Sequence, residues 1–71
     1  MPKLLSSKEI VSILLQNGFI FISQKGSHAK FRTSHLPVLT VIVPMAKKQI
    51  PLGTFRSIVR QSGLPVSLFL E

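Results

Sequence analysis

The sequence predicts an α+β domain: a helix, three strands forming an antiparallel meander, then a second helix, with both helices laid on one face of the sheet. Three observations carry this prediction. Ser6 and Glu9 stand at capping-box spacing ahead of an apolar run that stops at Gly18. Residues 19–24, 28–33 and 38–43 are rich in β-branched and aromatic side chains and are separated by turn-forming stretches. A basic amphipathic stretch then follows Pro51 and ends at Gly63.

Residues 1–5 are a short lead-in, and the first helix is expected over residues 7–17. Its Ile10, Val11, Ile13, Leu14 and Leu15 sweep about 200° of the helical wheel, which predicts a helix covered over much of its surface. The first strand spans residues 19–24, with Phe19 and Phe21 expected in the core rather than stacked on bases. Lys25-Gly26-Ser27 turns the chain into a second strand over residues 28–33. Residues 34–37 form a looser connection to a nearly all-apolar third strand over residues 38–43. Pro44 ends that strand because it has no N–H to give to a ladder.

Residues 45–51 form a loop carrying Lys47 and Lys48. The second helix is expected to begin at Gly53-Thr54 and to reach about residue 62, capped by Gly63. It carries Leu52, Phe55, Ile58 and Val59 on one side, with Arg56 and Arg60, four apart, on another. Residues 64–70 read equally as a last apolar turn or a short strand.

At 71 residues the chain is expected to be a single domain over 1–71, close to the lower limit for a core without staples. It has no cysteine, so disulfides and thiolate metal sites are excluded. His28, His35, Glu9 and Glu71 do not amount to a metal-binding set, so neither metal nor cofactor is expected. Nine Lys and Arg against two acids give a formal charge of +7, which favours a polyanionic partner. Hydrophobic residues make up 45% of the chain, with a mean hydropathy of +0.41. No apolar stretch approaches the roughly 18 residues of a membrane span, so the protein is expected to be cytoplasmic. The apolar surplus points instead to a partner surface or a homodimer.

The second strand holds the most informative pattern. Side chains alternate between the faces of a strand, so His28, Lys30 and Arg32 share one face while Ala29 and Phe31 take the other. If the apolar pair faces the helices, the imidazole and two cations lie together on the open face. An imidazole that moves protons near neutral pH, set among cations, suits chemistry on a phosphodiester. A histidine after a glycine turn is also often an ordinary surface residue, and the residues alone leave both readings open. His35, in the loop, reads as solvated, with a second proton-transfer role as its alternative. Arg56 and Arg60, near the helix start at Thr54, read either as a phosphate grip or as a solvated face.

The ordered series Gly18-Phe19, Lys25-Gly26-Ser27-His28, Val43-Pro44, Lys48, Gly53-Thr54, Arg56 and Gln61-Ser62-Gly63-Leu64 resembles the HicA family of toxin components across nearly the whole chain. The chain departs from the family pattern at Met45-Ala46, where a histidine is frequent, and at Gln49, where an acid is common. The resemblance implies a fold similar to the double-stranded RNA-binding domain. It also implies an mRNA-cleaving toxin of a type II toxin–antitoxin system, with His28 as the residue essential to cleavage. A HicB-type antitoxin would bind and block that site. His28 is then expected to serve as general base without a metal. Lys25, Gly26, Ser27, Lys30, Arg32, Lys47, Lys48, Thr54, Arg56 and Arg60 are the expected RNA-binding residues. The alternatives are a non-catalytic RNA-binding module on the same basic surface, and a scaffold that meets only another protein.

Overall fold

The computed structural model of the protein describes residues 4–70, so the first three residues of the expected lead-in, and Glu71, lie outside the described residues. The elements follow the expected order: α1 (Ser7–Gln16), β1 (Phe19–Lys25), β2 (His28–Thr33), β3 (Thr40–Pro44) and α2 (Leu52–Ser62), followed by a short 3-10 turn at Val66–Phe69. The strands form one antiparallel sheet in the order β1-β2-β3. Both helices pack on one face of that sheet, where Ile10 and Leu14 of α1 and Phe55 and Ile58 of α2 meet Phe31, Val41 and Val43. No helix among the described residues is long and apolar enough to cross a membrane.

Helix α1 starts as its sequence dictates. The Glu9 N–H donates to the Ser6 hydroxyl at 3.1 Å, and the Ser6 N–H donates to Glu9 Oε1 at 2.9 Å, closing the capping box. The covered face is narrower than the apolar sweep suggests. Ile10 and Leu14 are fully buried and Val11 and Ile13 partly so, but Leu15 is 52% exposed. A helix resting on a flat sheet with one side cannot bury residues spread over more than half its circumference, so Leu15 is left facing outward.

The β1–β2 hairpin is one residue tighter than expected. Lys25 belongs to β1 and stands opposite His28, leaving Gly26-Ser27 as a two-residue turn. Gly26, at φ +59°, occupies the first central position, where a two-residue hairpin with glycine first needs a positive φ. The register shifts between Phe21 and Ser23, so the strand bulges at Ile22. Phe19 is buried as expected, whereas Phe21 is not in the core: it is 53% exposed, touching Phe31 edge-on with ring centroids 5.7 Å apart. Phe21 stands opposite Phe31 on the outermost strand, at the margin of the area the helices cover.

Strand β3 starts at Thr40, two residues later than expected, because the Thr33 side chain closes the preceding loop. Its hydroxyl donates to the Pro37 carbonyl at 2.9 Å and accepts from the Leu39 N–H at 2.9 Å. Val38 is exposed in that loop, which contains a cis Leu36–Pro37 bond. Helix α2 begins at Leu52, and Leu52 itself is exposed instead of lying with Phe55 and Ile58. The C-terminal segment resolves as the 3-10 turn, which inserts Phe69 into the core edge-on to Phe55 at 5.8 Å between centroids. Two serines are buried, and both hydroxyls are satisfied. That of Ser62 donates to the Val59 carbonyl at 2.7 Å and accepts from the Leu64 N–H at 3.1 Å.

Candidate nucleic-acid interface

The alternation along β2 has the consequence its residues predict. Ala29 and Phe31 are buried under the helices, His28 and Arg32 are exposed on the opposite face, and Lys30 is half-buried there. The register extends this face sideways. Lys25 of β1 lies opposite His28, Ser23 opposite Lys30 and Ile20 opposite Arg32. On the other flank Pro44, Ile42 and Thr40 of β3 oppose the same three residues. The basic row thus runs down the central strand between mostly uncharged neighbours, with its cations about 7 Å apart at every second residue.

Among the described residues no hydrogen bond engages the His28 imidazole, which leaves both ring nitrogens open to a bound group. The Arg32 guanidinium is directed across the sheet, its Nε donating to Thr40 Oγ1 at 3.3 Å. At the turn, Gln24 Nε2 donates to the Gly26 carbonyl at 3.0 Å, and the Ser27 carbonyl accepts the Met45 N–H at 2.6 Å. That last bond ties the loop after β3 to the turn, beside the end of the sheet that carries His28. Lys47 and Lys48 lie exposed in this loop.

The loop is held from a second side by α1. The buried Ser7 hydroxyl donates to the Pro44 carbonyl at 2.6 Å and accepts the Lys47 N–H at 3.0 Å, and the Ser7 N–H donates to the Lys47 carbonyl at 3.0 Å. This clamp brings Lys8 to Lys47 and Lys48 around a hollow of about 360 Å³. Lys8 is absent from the residues expected from sequence. Its only available signal was the distant partnership of Ser7, which no local pattern reveals.

The remaining candidates divide. Thr54, half-buried in the first turn of α2, and the exposed Arg56 and Arg60 lie in the helical layer, and none of their described hydrogen bonds reaches the open face. Besides its apolar packing, α2 reaches the sheet edge through Gln61, whose Oε1 accepts the Ile42 N–H at 3.2 Å. His35 is removed from the site altogether. Its ring sits over Gly18, where an added Cβ would come within 3.1 Å of His35 Cε1, beyond the far end of β2. Five residue steps of strand already put about 16 Å between that end and His28, so His35 and His28 cannot act on one phosphate. Among the described residues no three His, Asp or Glu side chains gather at a point.

What is assembled is an open, flat, cationic surface with one proton-transfer group, bordered by the exposed lysine pair Lys47 and Lys48. Such a surface suits a long polyanion in contact along its backbone, where charge and position matter more than enclosure. A family model described as HicA toxin of bacterial toxin-antitoxin matches residues 7–64, a span that holds α1, the whole sheet and α2. No curated protein matches the chain.

Proposed function

The chain belongs to the HicA family, toxins of bacterial toxin–antitoxin systems, and on that premise we propose that it is an endoribonuclease that cleaves mRNA without a metal, using His28 as general base. The observation that carries this reading is the exposed His28 in line with Lys30 and Arg32 and directly opposite Lys25. In the proposed step His28 takes the proton of a ribose 2′-hydroxyl. The oxygen so freed attacks the neighbouring phosphorus, and the bond to the 5′ oxygen breaks. The products are a 2′,3′-cyclic phosphate and a 5′-hydroxyl, the departing oxygen taking its proton from water at this open face.

Lys25, Lys30 and Arg32 stabilise the charge that builds on the phosphoryl oxygens, and Lys47 and Lys48 hold the strand as it leaves the sheet. General base catalysis supplies roughly 10² to 10⁴-fold, and cations placed at the developing charge contribute on a similar scale. The family implies a cognate antitoxin. We read it as a HicB-type protein that covers His28, with the encounter taking place in the cytoplasm where mRNA is found.

The test is incubation of the purified protein with mRNA in excess EDTA, alongside His28→Ala. Cleavage that persists in the chelator and falls at least about 10²-fold in the variant, with RNA binding and thermal melting unchanged, is the expected result. Because His28 is exposed, its loss does not disturb the core. Undiminished cleavage by His28→Ala would remove the assignment, and retention of RNA without cleavage by the parent protein would make the chain a non-catalytic binding module.

A further inference from the structure

We propose that the outer edge of β1 is a docking edge for an extended, acidic segment of a partner protein, which adds a fourth strand to the sheet. The two edges of this sheet are not alike. At β3 the Ile42 N–H is already taken by Gln61, and α2 packs along the strand. Among the described residues β1 is paired with β2 alone, so its other side presents unpaired backbone groups along a strand of seven residues.

Edge strands of this kind are normally guarded by lysine, proline or a covering element. β1 has Lys25 at its very end and no other charge, and its middle is Ile20, Phe21 and Ile22, which are 49%, 53% and 40% exposed. Three consecutive exposed apolar residues on an open edge match the requirements of strand addition, in which main-chain bonds give affinity and alternate side chains give specificity.

Charge selects the occupant. A second copy of this chain would set +7 against +7, whereas an acidic strand meets opposite charge. The register states where that charge would fall. On the open face β1 offers Ile20, Ser23 and Lys25, opposite Arg32, Lys30 and His28. An added strand lies about 4.8 Å beyond β1 and about 9.6 Å from β2. Ser23 is small, so an acidic side chain on the added strand passes over it toward Lys30, while a neighbouring acid meets Lys25 directly. Ile20, beyond Ser23 on the same face, offers an apolar contact, and residues of the added strand that fall between the acids lie on the helix side, where Phe21 is half-exposed. The matching sequence therefore alternates acidic and apolar residues. The inference stands on topology and charge, and holds whether or not His28 is catalytic.

The probe is a fluorescein-labelled synthetic peptide of about nine residues alternating valine and glutamate, used below its own association limit, with lysine in place of glutamate as the control. Anisotropy titrations and amide NMR shifts are recorded on the intact protein. The expected result is saturable binding of the glutamate peptide alone, with shifts centred on residues 19–25. Phe21→Ser, which changes no charge, and Ile22→Pro should each weaken binding about tenfold, and Phe21→Ser should lower melting by no more than a few degrees, since the half-exposed ring gives up one edge contact with Phe31. Binding undiminished by both variants, shifts confined to β2 and the hairpin turn, or no binding at millimolar peptide would each overturn the proposal. So would a concentration-dependent dimer in sedimentation that Phe21→Ser dissolves, since the edge would then serve a second copy.

Discussion

Replacing Ser7 by alanine tests whether the clamp between α1 and the lysine-bearing loop is as strong as its geometry implies. The Ser7 hydroxyl is 2% exposed as part of its residue, donates to the Pro44 carbonyl at 2.6 Å and accepts the Lys47 N–H at 3.0 Å. Each such bond contributes about 1 kcal/mol net, and stranding the partly buried Lys47 N–H costs about 1–3 kcal/mol. Alanine returns about 0.5 kcal/mol through its better helix propensity. The Ser7 N–H to Lys47 carbonyl bond survives the substitution and keeps the loop attached. The net expectation is a loss of about 2 kcal/mol, or a fall in Tm of about 8–16 °C for a domain of this size. Thermal melts by circular dichroism and urea titrations with an unchanged m-value provide the measurement. Ser12→Ala is the control: this exposed hydroxyl receives only a 3.5 Å bond from Gln16, and its loss should stay within about 0.5 kcal/mol. A Ser7→Ala protein that melts within about 2 °C of the parent, or alongside the Ser12→Ala control, would refute the reasoning.

Two further expectations follow from the same geometry. If Lys25, Lys30, Arg32 and one of the loop lysines contact single-stranded RNA, log Kd against log salt should have a slope of magnitude about 3, and Arg32→Ala should lower it to about 2. Arg60→Ala, in the helical layer, should leave it unchanged, and a parent protein whose affinity ignores salt would contradict the interface. Phe69→Ala removes a fully buried ring and should cost about 3–5 kcal/mol. That is a large part of the few kcal/mol, about 4–10, that hold a domain of this size together, so differential scanning calorimetry should show Tm lowered by more than about 12 °C or no cooperative transition; a shift of a few degrees would show the ring to be dispensable.

The parts of this fold legible in the sequence are those set by neighbours along the chain. Ser6 and Glu9 name their own helix start, Lys25-Gly26-Ser27-His28 names the hairpin, and the strict alternation from His28 to Arg32 names the two faces of β2. The elements that escaped are set from afar. Ile22 becomes a bulge only when β1 meets β2, and nothing in its local pattern marks it. Val38 and Leu39 have strand-forming side chains, yet the Thr33 hydroxyl holds their loop closed. Phe21 looks like a core residue and is left half-exposed because it stands on the outermost strand. Four residues of 3-10 turn have no period to detect, and the conformation of residues 66–69 follows from where Phe69 finds Phe55. The site divides on the same principle: the basic row is a period-two pattern, whereas the approach of Lys8 to Lys47 and Lys48 depends on a buried serine and a partner forty positions away.

The position of Phe69 also bears on where the chain tolerates trimming. Removing residues 66–69 would leave the sheet and both helices in the sequence but would take away one wall of the interior. The cations of the open face all come earlier in the chain, so every charge would remain in place. The shortened protein would thus keep its chemistry on paper while losing the stiff backing that holds that chemistry in line.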